Sequence, residues 1–100
     1  MSEHAVIIRF NYGYNSLDEL FAIKKLLRET LSISGVGEYD GHEMAIDYSD
    51  GIIYMYGQNA ENLFKTVLPI LEKNDFMQGA IATLRFGPPE DGIKEIEVAI

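Results

Sequence analysis

Apolar residues in this chain recur at two different spacings, and the order in which the spacings alternate leaves few folds open. AVIIRFNY (Ala5 to Tyr12) is rich in β-branched and aromatic residues and stops at Gly13, which predicts a strand. NSLDELFAIKKLLRETL then switches to helical spacing, with Leu20, Ile23, Leu27 and Leu31 on one stripe and Lys24, Lys25 and Arg28 toward solvent. Ser16, with Glu19 three residues on, predicts a capping box, and Ser34-Gly35-Val36-Gly37 ends the helix. A second helix, AENLFKTVLPILEK, follows a Gln58-Asn59 cap and carries Leu63, Phe64, Val67, Leu68 and Leu71 as its stripe. Pro69 inside it removes one backbone hydrogen bond and is expected to bend or shorten it. AIATLRF (Ala80 to Phe86) is a further strand, and the Gly87 to Gly92 segment is a loop. IKEIEVAI closes the chain as an edge strand whose Lys94, Glu95 and Glu97 discourage pairing with another sheet.

Between the helices lies GVGEYDGHEMAIDYSDGIIYMYG, with five carboxylates, one histidine, four tyrosines and no lysine or arginine. Asp50-Gly51 between two alternating runs predicts a hairpin with a two-residue turn. That turn pairs Ser49 with Ile52, Tyr48 with Ile53, Asp47 with Tyr54, Ile46 with Met55 and Ala45 with Tyr56. Directly opposed residues share a face. Met44, Ile46, Tyr48, Ile53 and Met55 are then the expected core side, and Glu43, Ala45, Asp47, Tyr54 and Tyr56 the outer side.

The order β-α-β-β-α-β with one extra C-terminal strand resembles the ferredoxin-like α/β plait over essentially the whole chain. The resemblance implies an α+β domain spanning residues 1–100, with two helices on one face of an antiparallel sheet and the other face open. It is architectural and implies no function. The run GEYDGHE followed by DGIIYMYG is also similar to small uncharacterised bacterial proteins, a resemblance that implies no activity. In the plait, the first and third strands are central. With Val6, Ile8, Phe10, Leu84 and Phe86 toward the helices, the open face is expected to carry Ile7, Arg9, Tyr54, Tyr56, Ile81, Thr83 and Arg85, with Glu43 and Asp47 toward one edge.

Charge and composition narrow the partners. Sixteen acids against eight bases give a net charge of −8, which repels nucleic-acid phosphates and anionic membranes. No apolar run approaches the ~18–20 residues that cross a bilayer. The MSEHAVIIRF start has neither a basic n-region nor a long apolar h-region, so a cytoplasmic protein without a signal peptide is expected. The absence of cysteine removes disulfides, thiolate nucleophiles and cysteine-ligated zinc.

Three uses of these residues compete. Tyr and Arg carry much of the binding energy at interfaces. A face of Tyr54, Tyr56, Ile7 and Ile81, with Arg9 and Arg85 set against Glu43 and Asp47, therefore predicts a non-enzymatic homodimer or protein-interaction module that needs no cofactor. The same rings could stack on single-stranded nucleic acid, but no basic stripe accompanies them. Glu38, Asp40 and His42, on alternate strand positions, could converge on one manganese, iron or zinc ion and support a small enzyme; no HExxH, phosphate loop or EF-hand spacing joins them. Serine nucleophiles lack a nucleophile elbow. As a further alternative, the acidic stretch from Glu38 to Asp50 suits an inhibitor or immunity-type protein that neutralises a basic partner. His4 is expected to be an exposed terminal residue.

Overall fold

A computed structural model describes residues 3–100. Along the chain run β1 (His4–Asn11), α1 (Asp18–Ser34), β2 (Glu38–Met44), β3 (Asp50–Gly57), α2 (Ala60–Glu72), a 3-10 turn (Asp75–Met77), β4 (Ile81–Arg85) and β5 (Glu95–Ala99). The strands form one antiparallel sheet in the order β2-β3-β1-β4-β5. Two helices with a five-stranded antiparallel sheet make an α+β fold, and this arrangement fits a ferredoxin-like plait with β5 added beside β4. Among the described residues, no helix is long and apolar enough to cross a membrane.

One face of the sheet packs on the helices. Val6, Ile8 and Phe10 of β1, Ile53 and Met55 of β3, and Ala82 and Leu84 of β4 are buried there against Leu20, Ile23, Leu27 and Leu31 of α1 and Leu63, Phe64, Val67 and Leu71 of α2. These are the apolar positions that the two spacings select. Phe76 and Met77 also enter this core from the short turn after α2, where no periodic pattern announces them.

The helix ends are held partly as expected. Asn59 Oδ1 accepts the Asn62 N–H at 3.0 Å, and Gly35 (φ 71°) closes α1 with its N–H on Leu31 O. The Ser16–Glu19 capping box is not formed. Ser16 Oγ instead takes the Asp18 N–H at 3.3 Å, and the Leu20 N–H donates to the buried phenol of Tyr12, also at 3.3 Å. The Tyr12 O–H in turn donates to Ser16 O at 2.6 Å, so the residue just beyond β1 does the work of a local cap. A tertiary partner at this distance is invisible to a rule that looks three residues along the chain. Tyr12→Phe is expected to leave the Leu20 N–H unpaired in a buried site. The cost should be about 1–3 kcal/mol, read as a lower urea midpoint at unchanged slope.

The hairpin between the helices differs from its expected form. Its turn is the five-residue segment from Ala45 to Ser49, and Asp50 and Gly51 lie inside β3. Pairing runs Met44–Gly51, Glu43–Ile52, His42–Ile53 and Gly41–Tyr54, then shifts at a bulge to Tyr39–Met55 and Glu38–Tyr56. The loop closes through Tyr48 N–H to Ala45 O and Ala45 N–H to Asp50 O, both 3.0 Å, and Asp47 Oδ1 accepts the Ser49 N–H at 3.0 Å. Tyr48 takes the left-handed conformation (φ 63°), the place where a glycine would ordinarily be looked for. The end of β1 holds it there, because the N–H groups of Tyr12 and Gly13 donate to Ser49 O and Tyr48 O at 2.8 and 2.7 Å. Ile46, expected in the core, therefore sits fully exposed on the loop, and Tyr48 packs against the core's rim next to Tyr12.

Gly51 has another reason to be glycine. It lies on the helix side between Phe10 and Met44, and a Cβ there would collide with Met44 Sδ and come within 2.8 Å of Phe10 Cζ. Its empty side-chain position is where those two side chains meet. Gly51→Val is expected to overpack this point and cost ~1–3 kcal/mol in thermal or urea unfolding. A turn glycine with an open surround would show no such clash.

Candidate interaction face

The registers assign the open face residue by residue. Three rows cross all five strands from β2 to β5. The first is Glu38, Tyr56, Ala5, Arg85 and Glu95; the second is Gly41, Tyr54, Ile7, Thr83 and Glu97; the third is Glu43, Ile52, Arg9, Ile81 and Ala99. Tyr54, Tyr56, Ile7, Ile52 and Ile81 are each half-buried within the protomer, and they form a continuous apolar and aromatic strip. Glutamates occupy both outer strands of the face: Glu38 and Glu43 on β2, Glu95 and Glu97 on β5.

Of the eight residues expected to make the contact, seven are on this face. Asp47 is not, since it lies in the β2–β3 loop with its carboxylate turned onto the Ser49 N–H. Hydrogen bonding to the Ser49 side chain, and then to the Ser49 N–H, lowers its carboxyl from the ordinary value. The two arginines differ in freedom. Arg85 is buried, its Nε donating to Gly87 O at 2.8 Å and its guanidinium 6.0 Å from the centre of the Tyr56 ring. Arg9 is exposed and reaches Thr83 Oγ1 at 3.5 Å. Tyr54 extends to Glu43, with its O–H 3.4 Å from Oε2. Burial against the sheet and then the Glu43 carboxylate push the Tyr54 phenol above its ordinary value.

Two features of the face escaped the sequence argument. Ile52 shares parity with Tyr54 and Tyr56, so alternation alone could have placed it, but an assumed turn at Asp50-Gly51 put it at the hairpin tip. Glu95 and Glu97, read only as edge guards, become the acidic margin opposite Glu38 and Glu43 because β5 pairs with β4.

The expected ligand group Glu38, Asp40 and His42 is not brought together. The bulge between Tyr39 and Gly41 breaks strict alternation, leaving Glu38 in the open-face row of Tyr56 while His42 falls in the helix-face row of Ile53. Asp40 is exposed at the bulge itself. Among the described residues, no group of three or more His, Cys, Asp or Glu could hold a metal ion.

His42 instead joins a corner between β2 and α1. Its Nδ1 is 3.2 Å from the Tyr39 phenol oxygen, and its ring lies 6.4 Å from that of Phe21. Burial, then Lys24 and Arg28, pull the imidazole below its ordinary pKa of 6.5. Tyr39 is pushed up to about 12 by burial, with Arg28 opposing. His4 likewise has a partner: its Nδ1 accepts the Ala60 N–H at 3.1 Å at the start of α2, and its ring meets Phe86 edge-on at 5.7 Å. An open groove of ≈ 1140 Å³ runs between the end of α1 and the start of α2, lined by Arg28, Tyr39, Tyr56 and Asn62, with Glu3 and Glu38 at its side. With Ala60 and Asn62 N–H already capped by His4 and Asn59, the α2 terminus offers this groove few free donors.

No family model matches the chain, and neither the curated proteins nor the solved structures give a match.

Proposed function

We propose that this chain is a non-enzymatic association module of the ferredoxin-like type, which forms a homodimer by laying the open faces of two sheets together. The observation that carries this reading is the three-row pattern. Apolar and aromatic groups fill the middle of the face, an exposed arginine stands among them, and glutamates line both margins. Tyr54 and Tyr56 are the central anchors, with Ile7, Ile52 and Ile81 completing the apolar contact. Charge complementarity favours a second copy over a foreign partner. Arg9 lies two residues along β1 from the central Ile7, ~6.8 Å, and the margin strands lie two strand spacings from it, ~9.6 Å. Near-orthogonal packing of two sheets lays β1 of one copy across the strands of the other and brings Arg9 toward a marginal glutamate.

Nucleic acid fits less well. Arg85 is already engaged by Gly87 and Tyr56, and four glutamates flank the proposed stacking rings, where phosphates would be repelled.

The test is the solution mass of the wild-type protein by size exclusion with light scattering. A species of twice the 11.3 kDa chain mass is expected across micromolar concentrations. A mass of 11.3 kDa throughout would overturn the dimer and turn attention to the acidic-inhibitor alternative, whose exposed carboxylates are Glu38, Asp40, Glu43, Asp47 and Asp50.

A further inference from the structure

The corner between α1 and the β2 edge gathers positive charge in a chain of net charge −8. Phe21, Lys24 and Arg28 stand at i, i+3 and i+7 on α1, so one flank of the helix presents all three to β2. Lys24 Nζ is 6.0 Å from the ring centres of both Phe21 and Tyr39, and Arg28 Cζ is 5.5 Å from the centre of the Tyr39 ring. His42 completes the group through its 3.2 Å contact with the Tyr39 phenol. Two cations thus crowd one aromatic ring. They also stand four residues apart on one helix, a spacing at which like charges destabilise each other. The aromatic rings offset part of each charge, and a bound anion would relieve the repulsion that remains between the two.

We propose that Lys24, Arg28 and His42 form a binding site for a small oxyanion of the phosphate class. A phosphate group carries about −1.5 to −2 charges near neutral pH, which matches two cations. Arg28 supplies a planar fork of donors and Lys24 a compact ammonium. Assigning the Tyr39 phenol as the donor in its 3.2 Å contact with Nδ1 puts the imidazole hydrogen on Nε2, where it serves as a neutral third donor. Phe21, 50% exposed, flanks the group and offers an apolar surface to the organic part of a phosphomonoester. The site lies on the helix side of the sheet edge, so it stands or falls independently of the open-face dimer.

The chain has two histidines, which makes the test internally controlled. Ring C–H signals of His42 and His4 are followed by NMR, at fixed near-neutral pH and ionic strength held with sodium chloride, while inorganic phosphate replaces chloride. The signals are assigned with His42→Gln. The His42 signals are expected to move saturably, while those of His4 stay in place. In the Lys24→Gln, Arg28→Gln double variant the apparent Kd should rise at least about tenfold, since each lost contact is a charge-assisted hydrogen bond. Glutamine keeps part of each stem over the Tyr39 ring, and far-UV circular dichroism checks that the variant is folded. Phenyl phosphate separates the two sources of the ligand. Tighter binding than inorganic phosphate assigns the site to a phosphomonoester, and equal binding assigns it to the free anion. A linear response, equal movement of both histidines, or an unchanged response in the folded double variant would overturn the proposal.

Discussion

Tyr54→Asp is expected to split the proposed dimer into folded monomers, raising its dissociation constant at least about 30-fold. Two effects act together. The change removes a ring that stands next to Ile7 in the central row of the face, where a partner would cover it. It also sets a new carboxylate near Glu43, whose Oε2 is only 3.4 Å from the phenol oxygen in the wild type. Like charges drawn into a closing interface are costly, so association should weaken more than the loss of the ring alone predicts. Within the protomer the side chain is only half-buried, and the far-UV spectrum and unfolding midpoint should stay close to wild type. Light scattering reads the first expectation and urea unfolding the second. A folded variant that remains dimeric would remove the open face as the contact surface.

Met55→Asp, one residue further along β3, should do the reverse. Met55 is 0% exposed and packs toward the helices between Tyr39 and Val6 in the cross-sheet row. Truncating a buried side chain of this size costs about 2–5 kcal/mol, and stranding a carboxylate among apolar groups adds several more. The sum is comparable to the roughly 5–15 kcal/mol that holds a small domain together. The variant is expected to lack a cooperative unfolding transition and the chemical-shift dispersion of a folded protein. The pair of variants tests a single geometric fact, that neighbouring β3 side chains point to opposite faces. Cooperative unfolding of Met55→Asp near the wild-type midpoint would put that side chain at the surface.

The parity of β3 is legible in the sequence, because Ile53 and Met55 alternate with Tyr54 and Tyr56 and a strand's period is two. The register of its partner was not. Asp50-Gly51 is a strong local turn signal, yet Gly51 is needed inside the strand, where Phe10 and Met44 converge on the space a side chain would fill. The turn lies instead at Ala45 to Ser49, fastened by hydrogen bonds from Tyr12 and Gly13, which are more than thirty residues earlier in the chain. The pairing slid by an even number of residues, so Glu43 kept its face while Asp47 and Ile46 left the sheet altogether. The bulge after Tyr39 then reverses parity for the start of β2, and this is why simple alternation does not align Glu38, Asp40 and His42.

The candidate site divides in the same way. Ile7, Arg9, Tyr54, Tyr56 and Ile81 were readable from alternation within single strands. The difference between Arg9 and Arg85 was not, because it depends on the Gly87 carbonyl and the Tyr56 ring being close in space.

What the sequence determined by itself is the order of strands and helices, the apolar side of each, and the side of β3 that faces away from the helices. These follow from periods of 2 and 3.6 residues, which every short segment carries in its own side chains. The tertiary structure alone decided the hairpin register, the tyrosine that caps α1, the arginine left free on the open face, and the meeting of Lys24, Arg28 and His42 across the α1–β2 corner. Each of these depends on contacts between segments far apart in the chain, where packing and backbone pairing outweigh local preference.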